Sequence, residues 1–271
     1  MKILITGKNG YISNALCRAL SEEHDCSQIS VREGAPSLSA DVVIHAAGIA
    51  HKRASFSEYM RVNVALSLDI INKARLGGVR RFVFISTIAL FNSGKISKDT
   101  PINIKKLSNY ARSKFLVENA LKAVASEDFS VSVLRLPMVY GQGCPGNFPK
   151  LVSFIKRFPA FLVYENKRSQ LYIENLCAYV KSMIKQKTPF CVKHLADPYP
   201  ASTTEVAREI ARALEKKRIL IKTGRLFDLI IRASPPSFIL SKLFGDLYFE
   251  PIDNINENII GFPESVRRSV M

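Results

Sequence analysis

The sequence predicts an α/β protein with a doubly wound parallel sheet, and three observations support that class. Short apolar runs end at glycine or at hydroxyl residues, in segments 2–7, 41–48 and 81–87, and such runs are typical of buried parallel strands. Segments with apolar residues at helical spacing separate these runs. A turn that contains Gly7 and Gly10 joins the first run to the first helical segment. Together these features indicate a Rossmann-type sheet that binds ligands at the carboxyl ends of its strands.

The elements follow in a regular order along the first half of the chain. We predict strands at residues 2–6, 28–32, 41–48, 81–86 and 131–135 and helices at 11–21, 59–74 and 110–125. From about residue 141 the pattern loosens, because glycine and proline crowd into segment 141–149. Beyond it we predict helices at 149–157 and 174–186, a strand at 190–195, and a helix opened by a capping box at Ser202 and Glu205.

This change of pattern predicts the domain organisation. Residues 1–140 are expected to form a dinucleotide-binding Rossmann domain. Residues 141–271 are expected to form a small C-terminal substrate-binding lobe, with some segments returning to the sheet.

Composition excludes several classes of protein. No apolar run approaches the roughly 20 residues that cross a bilayer, and the polar Thr6-Gly7 pair interrupts the N-terminal run as no signal peptide would. Five scattered cysteines indicate reduced thiols in a cytoplasmic protein, and four isolated histidines form no metal-ligand pattern, so no metal is expected.

The net charge of +16 is the unusual bulk property. Nucleic acid, an anionic membrane surface and a polyanionic substrate each account for such a charge. No nucleic-acid-binding module is recognisable, so no nucleic acid is expected as a partner. Residues 218–249 mix basic with apolar side chains, which favours peripheral contact with an anionic membrane, at its inner face.

Two local patterns carry the chemistry. The turn from Gly7 to Gly10 allows backbone N–H groups at a helix N-terminus to approach a pyrophosphate. Tyr110 and Lys114 lie four residues apart and share one face of a helix, where a cation is expected to lower the pKa of the phenol and make it a proton donor or acceptor. Upstream, Thr87 closes a strand at the edge where its hydroxyl can polarise a substrate carbonyl.

With these residues the chain resembles extended short-chain dehydrogenase/reductases of the NAD-dependent epimerase/dehydratase group, over essentially its whole length. The resemblance implies that Thr87, Tyr110 and Lys114 are catalytic, with Lys114 also holding the nicotinamide ribose. It places Ser13 where the family's glycine loop has its third glycine. The implied cofactor contacts are Gly7, Asn9, Gly10, Tyr11, Ile12, Arg32, Ala46, Ala47, Gly48, Asn63, Ser86, Tyr110, Lys114, Pro137 and Val139.

Two departures from the family pattern concern the cofactor. The chain between Arg32 and Asp41 is too short for the helix and strand that usually intervene. The predicted second strand ends in Arg32 instead of an acidic residue, which favours NADP(H), with NAD(H) as the alternative.

The residues after Thr87 restrict which reactions of the group fit this chain. Nucleotide-sugar dehydratases of this group carry an acid there, whereas this chain has Ile88-Ala89-Leu90, which disfavours dehydration. Segments 144–148 and 166–173 resemble bacterial reductases that convert UDP-4-keto-6-deoxy-N-acetylhexosamines to UDP-FucNAc or UDP-QuiNAc for surface polysaccharides. That resemblance implies that Thr87, Asn147 and Arg168 contact the UDP-sugar, with Arg168 at the diphosphate, and it suggests a homodimer.

A 4-keto reductase is therefore the preferred hypothesis. A UDP-hexose 4-epimerase with retained NAD is the alternative within the enzyme class. A catalytically silent protein that senses NAD(P) is the alternative outside it, and the intact Tyr110 and Lys114 argue against that hypothesis.

Overall fold

The computed structural model describes residues 1–31, 38–50, 54–186, 188–222, 245–250 and 259–271. In these residues six strands form one parallel sheet: β1 (Lys2–Thr6), β2 (Asp25–Ile29), β3 (Val42–His45), β4 (Arg81–Thr87), β6 (Ser130–Leu136) and β10 (Phe190–His194). They lie side by side in the order β10-β6-β4-β3-β1-β2. Because β2 and β3 lie on opposite sides of β1, the strand order reverses there, and open α/β sheets bind their ligands outside the carboxyl ends of the strands at such a point. The α/β class and the Rossmann-type sheet are confirmed.

Helices complete the unit that contains this sheet, which consists of residues 1–90, 102–136 and 176–195. They are α1 (Tyr11–Leu20), α2 (Phe56–Tyr59), α3 (Leu66–Leu76), α4 (Asn109–Val124) and α6 (Ile173–Met183), the last of which begins outside the unit. Phe82 and Phe84 of β4 are fully buried in a core that Ile70 and Ala74 of α3 and Val117 and Leu121 of α4 also enter. Burial of these apolar side chains anchors β4 and α4, the two elements that bear the predicted catalytic residues.

The edge of the sheet differs from the prediction. Strand β2 spans Asp25–Ile29, not 28–32, because pairing with β1 joins Lys2 to Asp25 and Thr6 to Ile29. The segment Asp-Cys-Ser-Gln-Ile is only half-buried, so it lacks the apolar pattern that would reveal it. Its chain continues to β3 on the far side of β1, and the described residues between them, 30–31 and 38–41, contain no strand.

The helix predicted at residues 59–74 contains an irregularity. Between α2 and α3 the backbone adopts a π-helical turn over Met60–Ala65, which places Asn63 inside the widened turn. Such turns occur often at functional sites because they redirect one side chain without ending the helix.

The second unit consists of residues 91–101, 137–175 and 196–271. The strands that the structure describes in this unit form three two-stranded parallel pairs: β5 (Gly94–Ile96) with β12 (Leu247–Phe249), β7 (Met138–Tyr140) with β9 (Gln170–Tyr172), and β8 (Ala160–Val163) with β11 (Ile219–Lys222). Its helices in the described ranges are α5 (Asn147–Arg157), α7 (Thr203–Ala213) and α8 (Phe262–Val270). Helix α7 begins at the predicted capping box, in which Ser202 and Glu205 each accept a backbone N–H of the other. The division at residue 140 stays a prediction.

The described ranges contain no helix that is both long and apolar enough to cross a bilayer. Among the same residues, no group of three His, Cys, Asp or Glu side chains is arranged to hold a metal ion. Of segment 218–249, where membrane contact is predicted, residues 223–244 lie outside the described ranges, and that contact stays a prediction.

Candidate active site

The turn after β1 is built by backbone contacts that need glycine. Gly7 has φ of +94°, and a Cβ there would lie 3.1 Å from the backbone nitrogen of Ala47. A Cβ on Gly10 would lie 2.9 Å from the carbonyl oxygen of Gly7, to which the Gly10 N–H already donates. Asn9 completes the turn in a left-handed conformation with φ of 67°. The predicted loop residues therefore form a tight turn against the end of β3.

Ser13 stands at the position of the family's third glycine, and its side chain bonds within the loop. Its hydroxyl is buried and donates to the carbonyl oxygens of Gly7 and Gly10, the latter at 2.9 Å. Helix α1 then starts at Tyr11 and Ile12 with no side chain capping its N-terminus and no acidic residue in its first turn. Uncapped N–H groups at a helix start suit the pyrophosphate of a dinucleotide, so these residues fit the implied cofactor.

A buried histidine connects the ends of β1 and β3 to the π-helical turn. His45 bonds the hydroxyl of Thr6 through Nδ1 and that of Ser67 through Nε2, both at 2.7 Å, and Ser67 donates to the carbonyl of Asn63. Burial, assisted by the charge of Lys114, lowers the pKa of His45 to about 3, so this imidazole is neutral at physiological pH. His45 lies in the predicted strand at residues 41–48 but is not among the predicted site residues.

Asn63 organises the segment after β3. Its side chain accepts the N–H of Ile49 at 2.7 Å, and its amide donates to the Ile49 carbonyl at 3.1 Å and to the Ser113 hydroxyl at 3.0 Å. Ser113 in turn donates to the carbonyl of Tyr110. Gly48, with φ of +148°, leaves space where a Cβ would meet the Asn63 side chain at 3.2 Å and Nζ of Lys114 at 3.5 Å. Asn63 thus links Ile49, the residue after Gly48, to the helix that carries Tyr110.

Tyr110, Thr87 and Lys114 are brought together at the ends of β4 and the start of α4. The Thr87 side chain acts on the Tyr110 phenol and lowers its pKa, and the Tyr110 ring lies 6.1 Å from the ring of Tyr59. Lys114 is buried, donates from Nζ to the Ile85 carbonyl at 2.9 Å and lies 4.7 Å above the Phe84 ring. The structure therefore joins all three predicted catalytic residues in one cluster.

The pKa of Tyr110 differs from the expectation. Burial raises it to about 12, the hydrogen bond with Thr87 lowers it in part, and Tyr59 raises it further. Burial also lowers the pKa of Lys114 to about 8, against the opposing charge of Glu118. The expectation that Lys114 lowers the pKa of the Tyr110 phenol is thus wrong for this structure, because desolvation has the larger effect on that pKa. At neutral pH Tyr110 holds its proton.

Ser86 has a partner on the helix behind the strand. Its hydroxyl donates to Oε1 of Glu118, and Glu118 forms a two-pronged ion pair with Arg135, in which Nη2 lies 2.7 Å from Oε2. The Glu118 and Arg135 side chains are only 5% and 11% exposed. Nη1 of Arg135 is also 3.3 Å from Nε2 of His194. Sequence reasoning missed this network, although Glu118 lies one helical turn beyond Lys114.

Four predicted residues belong to the second unit. Pro137 is buried and Val139 pairs with Leu171 across β7 and β9. Asn147 is exposed and opens α5. Arg168 is half-buried and donates to the Gly245 carbonyl at 2.6 Å, and burial lowers its pKa against the opposing charge of Asp246. Their cofactor and substrate contacts stay predictions.

Arg32 lies outside the described residues, so its predicted contact with a 2′-phosphate stays a prediction. The argument for it weakens, because β2 ends at Ile29, three residues earlier than predicted.

The family is established by comparison with known proteins. The model of the NAD dependent epimerase/dehydratase family matches residues 3–189. The chain belongs to this family, whose members are NAD(P)-dependent enzymes of the extended short-chain dehydrogenase type.

Individual relatives carry different activities. A UDP-glucose 4-epimerase from Vibrio cholerae is 29% identical over 249 residues, which cover 79% of this chain and 76% of that protein. Among solved structures, the enzyme WbmH of Bordetella bronchiseptica in complex with NAD+ has a TM-score of 0.77 at 15% identity, covering 99% of this chain and 96% of its own. A dTDP-4-dehydrorhamnose reductase from Clostridium acetobutylicum has a TM-score of 0.73 at 18% identity, covering 100% and 98%. At such identities the structural likeness supports the fold alone.

Proposed function

We propose that this protein is an NAD(P)H-dependent reductase of a UDP-linked 4-keto-6-deoxy-N-acetylhexosamine in surface polysaccharide synthesis. The observation that carries the proposal is the cluster of the Tyr110 phenol, the Thr87 side chain that lowers its pKa, and the buried ammonium of Lys114 on the same helix as Tyr110. A ketone is reduced when a hydride reaches the carbon and a proton reaches the oxygen. A protonated phenol next to a hydroxyl suits the second of these tasks.

Each residue of the cluster has a separate part. Thr87 orients the substrate carbonyl by a hydrogen bond from its hydroxyl, and Tyr110 donates the proton to the carbonyl oxygen as it becomes an alkoxide. Because burial raises the pKa of Tyr110 to about 12, the phenol holds its proton at neutral pH and can act as the proton donor. Lys114 stabilises the resulting phenolate and holds the nicotinamide ribose. The nicotinamide, when bound, supplies the hydride.

The residues beyond Thr87 support a reaction without elimination. Ile88–Leu90 form a short 3-10 turn in which Ile88 and Leu90 are buried, and none of the three carries an acid. Loss of water from a neighbouring sugar carbon needs a proton donor for the departing hydroxyl. This chain has an apolar turn at the position where dehydratases of the group carry that donor, so reduction or epimerisation fits better.

The cofactor is proposed to be a nicotinamide dinucleotide with its pyrophosphate at the start of α1. The structural neighbour WbmH was solved with NAD+, which favours NAD(H) as the cofactor of this chain as well. The alternative NADP(H) rests on Arg32. Titration of the protein with NADH and NADPH, followed by the quenching of tyrosine fluorescence, distinguishes them by the ratio of the two dissociation constants.

The decisive experiment supplies a UDP-4-keto-6-deoxy-N-acetylhexosamine with NADH or NADPH. Stoichiometric oxidation of the cofactor and an NMR spectrum of a 4-hydroxy product are expected. The epimer formed, UDP-FucNAc or UDP-QuiNAc, is read from the same spectrum. Absence of cofactor oxidation in the presence of a folded, cofactor-binding protein would overturn the reductase proposal.

A 4-epimerase is the second candidate, and the Vibrio cholerae relative named as a UDP-glucose 4-epimerase favours it. An epimerase removes a hydride from C4 and returns it to the opposite face, so it needs the same Tyr110, Thr87 and Lys114 but consumes no cofactor. Interconversion of UDP-GlcNAc and UDP-GalNAc without added NADH would identify it. A silent NAD(P)-binding protein would show neither reaction while it still bound the cofactor.

A further inference from the structure

A buried ion pair lies beside the catalytic cluster, and the proposed function gives it no part. Glu118 of α4 binds Arg135 of β6, and the two side chains are only 5% and 11% exposed. Burying two charges costs free energy because both lose their hydration, and apolar groups in their place are often as stabilising. Stability alone therefore does not explain why a carboxylate and a guanidinium occupy this position.

The sheet places the ion pair on the face that α4 covers. Ser86 follows Phe84 at an alternate position of β4, so both side chains lie on one face of the sheet. Arg135 follows Val133 in the same way on β6. Phe84 and Val133 belong to the core that α4 enters. Because Ser86 is in register with Arg135, the two polar side chains lie next to each other on this face, at the carboxyl ends of their strands.

Glu118 accepts hydrogen bonds from both of these side chains. The Ser86 hydroxyl donates to Oε1, and Arg135 donates from Nη2 to Oε2 at 2.7 Å and from Nε to both oxygens at 3.2 and 3.3 Å. Nη1 of Arg135 lies 3.3 Å from Nε2 of His194, its register partner on β10. Burial, with the charge of Arg135, lowers the pKa of His194 to about 4, so this imidazole is neutral at physiological pH. These bonds fix the position of the carboxylate.

Lys114 lies one helical turn before Glu118 on α4. Side chains four residues apart on a helix are neighbours, and both of these are buried. Nζ of Lys114 donates to the carbonyl of Ile85 at 2.9 Å. The carboxylate of Glu118 accepts the hydroxyl of Ser86, the next residue along β4. Two consecutive residues of β4 thus bind an ammonium and a carboxylate from successive turns of the helix.

His45 and Tyr110 also lie around Lys114, and neither carries a charge at physiological pH. Burial, with the charge of Lys114, lowers the pKa of His45 on β3 to about 3. Burial raises the pKa of Tyr110 on α4 to about 12, although Thr87 opposes this rise and Tyr59 of α2 adds to it. The imidazole is therefore neutral and the phenol of Tyr110 holds its proton. Neither group supplies a negative charge to Lys114.

Glu118 supplies that negative charge. Burial lowers the pKa of Lys114 to about 8, and the charge of Glu118 opposes this fall. With a pKa of about 8, roughly nine molecules in ten carry the ammonium at pH 7, whereas a further fall of about one unit would leave roughly half of them neutral. The charge of Lys114 at physiological pH therefore depends on Glu118.

We propose that Glu118 is a positioning residue that keeps Lys114 in its ammonium form in the catalytic cluster, while Arg135 and Ser86 hold the carboxylate in place. This inference rests on the tasks that the proposed function gives to Lys114, which are to hold the nicotinamide ribose and to stabilise the phenolate that Tyr110 becomes. Both tasks need the positive charge, because hydrogen bonds from a charged donor are stronger than those from a neutral one. The buried ion pair then has a chemical purpose at this place in the sheet.

The test is an NMR titration of Lys114, which needs neither cofactor nor substrate. The protein is labelled with lysine that carries ¹³C at Cε, and the resonance of Lys114 is identified by its absence from K114R. We expect a titration midpoint near pH 8 in the wild type. The control E127Q makes the same Glu-to-Gln change at an exposed position of the same unit and should titrate as the wild type does.

The decisive variant removes both charges of the pair. E118Q alone leaves the buried Arg135 without its partner, and that uncompensated cation would itself lower the midpoint of Lys114. In E118Q/R135M neither member of the pair is charged, and we expect the midpoint to fall by at least about one pH unit, because a buried amine loses a nearby opposite charge. R135M keeps the carboxylate, so its midpoint should not fall below that of the wild type.

A merely structural ion pair would shift the midpoint in the other direction. Loosened packing would hydrate Lys114 and raise its midpoint towards the ordinary value of about 10.4. Circular dichroism checks that each variant is folded, and E118L/R135M replaces E118Q/R135M in the titration if the amide variant does not fold. An unchanged or raised midpoint in the double variant, or an equal fall in R135M, would overturn the proposal.

Affinity for NADH gives a second measurement, again without a sugar substrate. The dissociation constant should rise as the pH passes the midpoint of Lys114, so the rise should begin at a lower pH in E118Q/R135M than in the wild type. A lowered NMR midpoint together with an affinity that does not depend on pH would refute the task of Lys114 at the ribose. The action of Glu118 on Lys114 would stand in that case, so the two failures are distinguishable.

Discussion

Substitution of Glu118 by alanine is expected to destabilise the first unit by about 3–5 kcal/mol, the usual cost of leaving one member of a buried ion pair uncompensated. Glu118 and Arg135 are 5% and 11% exposed, so solvent screens their charges little. Arg135 bonds both carboxylate oxygens, at 3.3 and 3.2 Å from Nε and 2.7 Å from Nη2. E118A leaves the guanidinium without these bonds and also removes the acceptor of the Ser86 hydroxyl.

Equilibrium unfolding in urea, followed by circular dichroism and by tyrosine fluorescence, measures this cost. With a slope of about 2 kcal/mol per molar urea, the transition midpoint should fall by roughly 2 M. The matched control is D69N, which breaks the exposed Asp69–Lys73 pair with side chains 47% and 38% exposed. Such a surface pair on a helix contributes only about 0.3–0.5 kcal/mol, so the control should unfold almost as the wild type does.

A double variant tests the reasoning from the opposite side. E118L/R135M replaces both charges with apolar groups of similar size, and we expect it to be more stable than either E118A or R135A, because no buried charge is left without a partner. If E118A unfolds within about 1 kcal/mol of D69N, or if the double variant loses as much as the two single variants added together, the pair is not a buried, coupled unit.

Three further predictions concern the site. Y110F should lower turnover by about 10²–10⁴-fold with little change in KM, because it removes the proton donor. Y59F alters the neighbouring ring 6.1 Å away, and its turnover should stay within about tenfold of the wild type. Equal losses of turnover in steady-state kinetics would refute the assignment of Tyr110 as the proton donor. Gly7→Ala should weaken nicotinamide dinucleotide binding and destabilise the fold by about 1–3 kcal/mol, since φ is +94° and the Ala47 backbone is 3.1 Å from the new Cβ. In the control Gly143→Ala, φ is +70° but the new Cβ meets open space, so this variant should bind the cofactor normally in the titration with NADH or NADPH. The pKa of His45 is 6.5 in the unfolded chain and about 3 in the folded protein, so between these values only the unfolded chain binds the extra proton, and stability is lost as the pH falls below about 6.5. In urea unfolding, the wild type should lose about 2 kcal/mol more than H45Q between about pH 7 and 5. Equal losses in the two proteins would contradict a buried neutral imidazole.

Much of the fold follows from local patterns in the sequence. The apolar runs at β1, β3, β4 and β6 and the helical spacing of α1 and α4 are each apparent in a short window, because buried strands and amphipathic helices have characteristic periods. Edge strand β2 is the exception. It is half-buried and polar, so only its pairing with β1 determines where it begins and ends.

The candidate site also combines features that a short sequence window contains with features that it does not. Gly7, Gly10 and the Tyr110–Lys114 spacing are local signals, and the sequence alone predicted that they act together. The π-helical turn at Asn63 and the bonds from Asn63 to Ile49 and Ser113 join residues up to 50 positions apart, so no local window contains them.

For the catalytic pair, the sequence by itself determined which two residues share a helix face, because i and i+4 positions always do. Only the tertiary structure decided their protonation. The spacing indicates that the charge of Lys114 lies near Tyr110. It does not indicate the desolvation that raises the pKa of Tyr110 to about 12 and lowers that of Lys114 to about 8. Desolvation depends on everything that packs around a group, and that set exists only once the chain has folded.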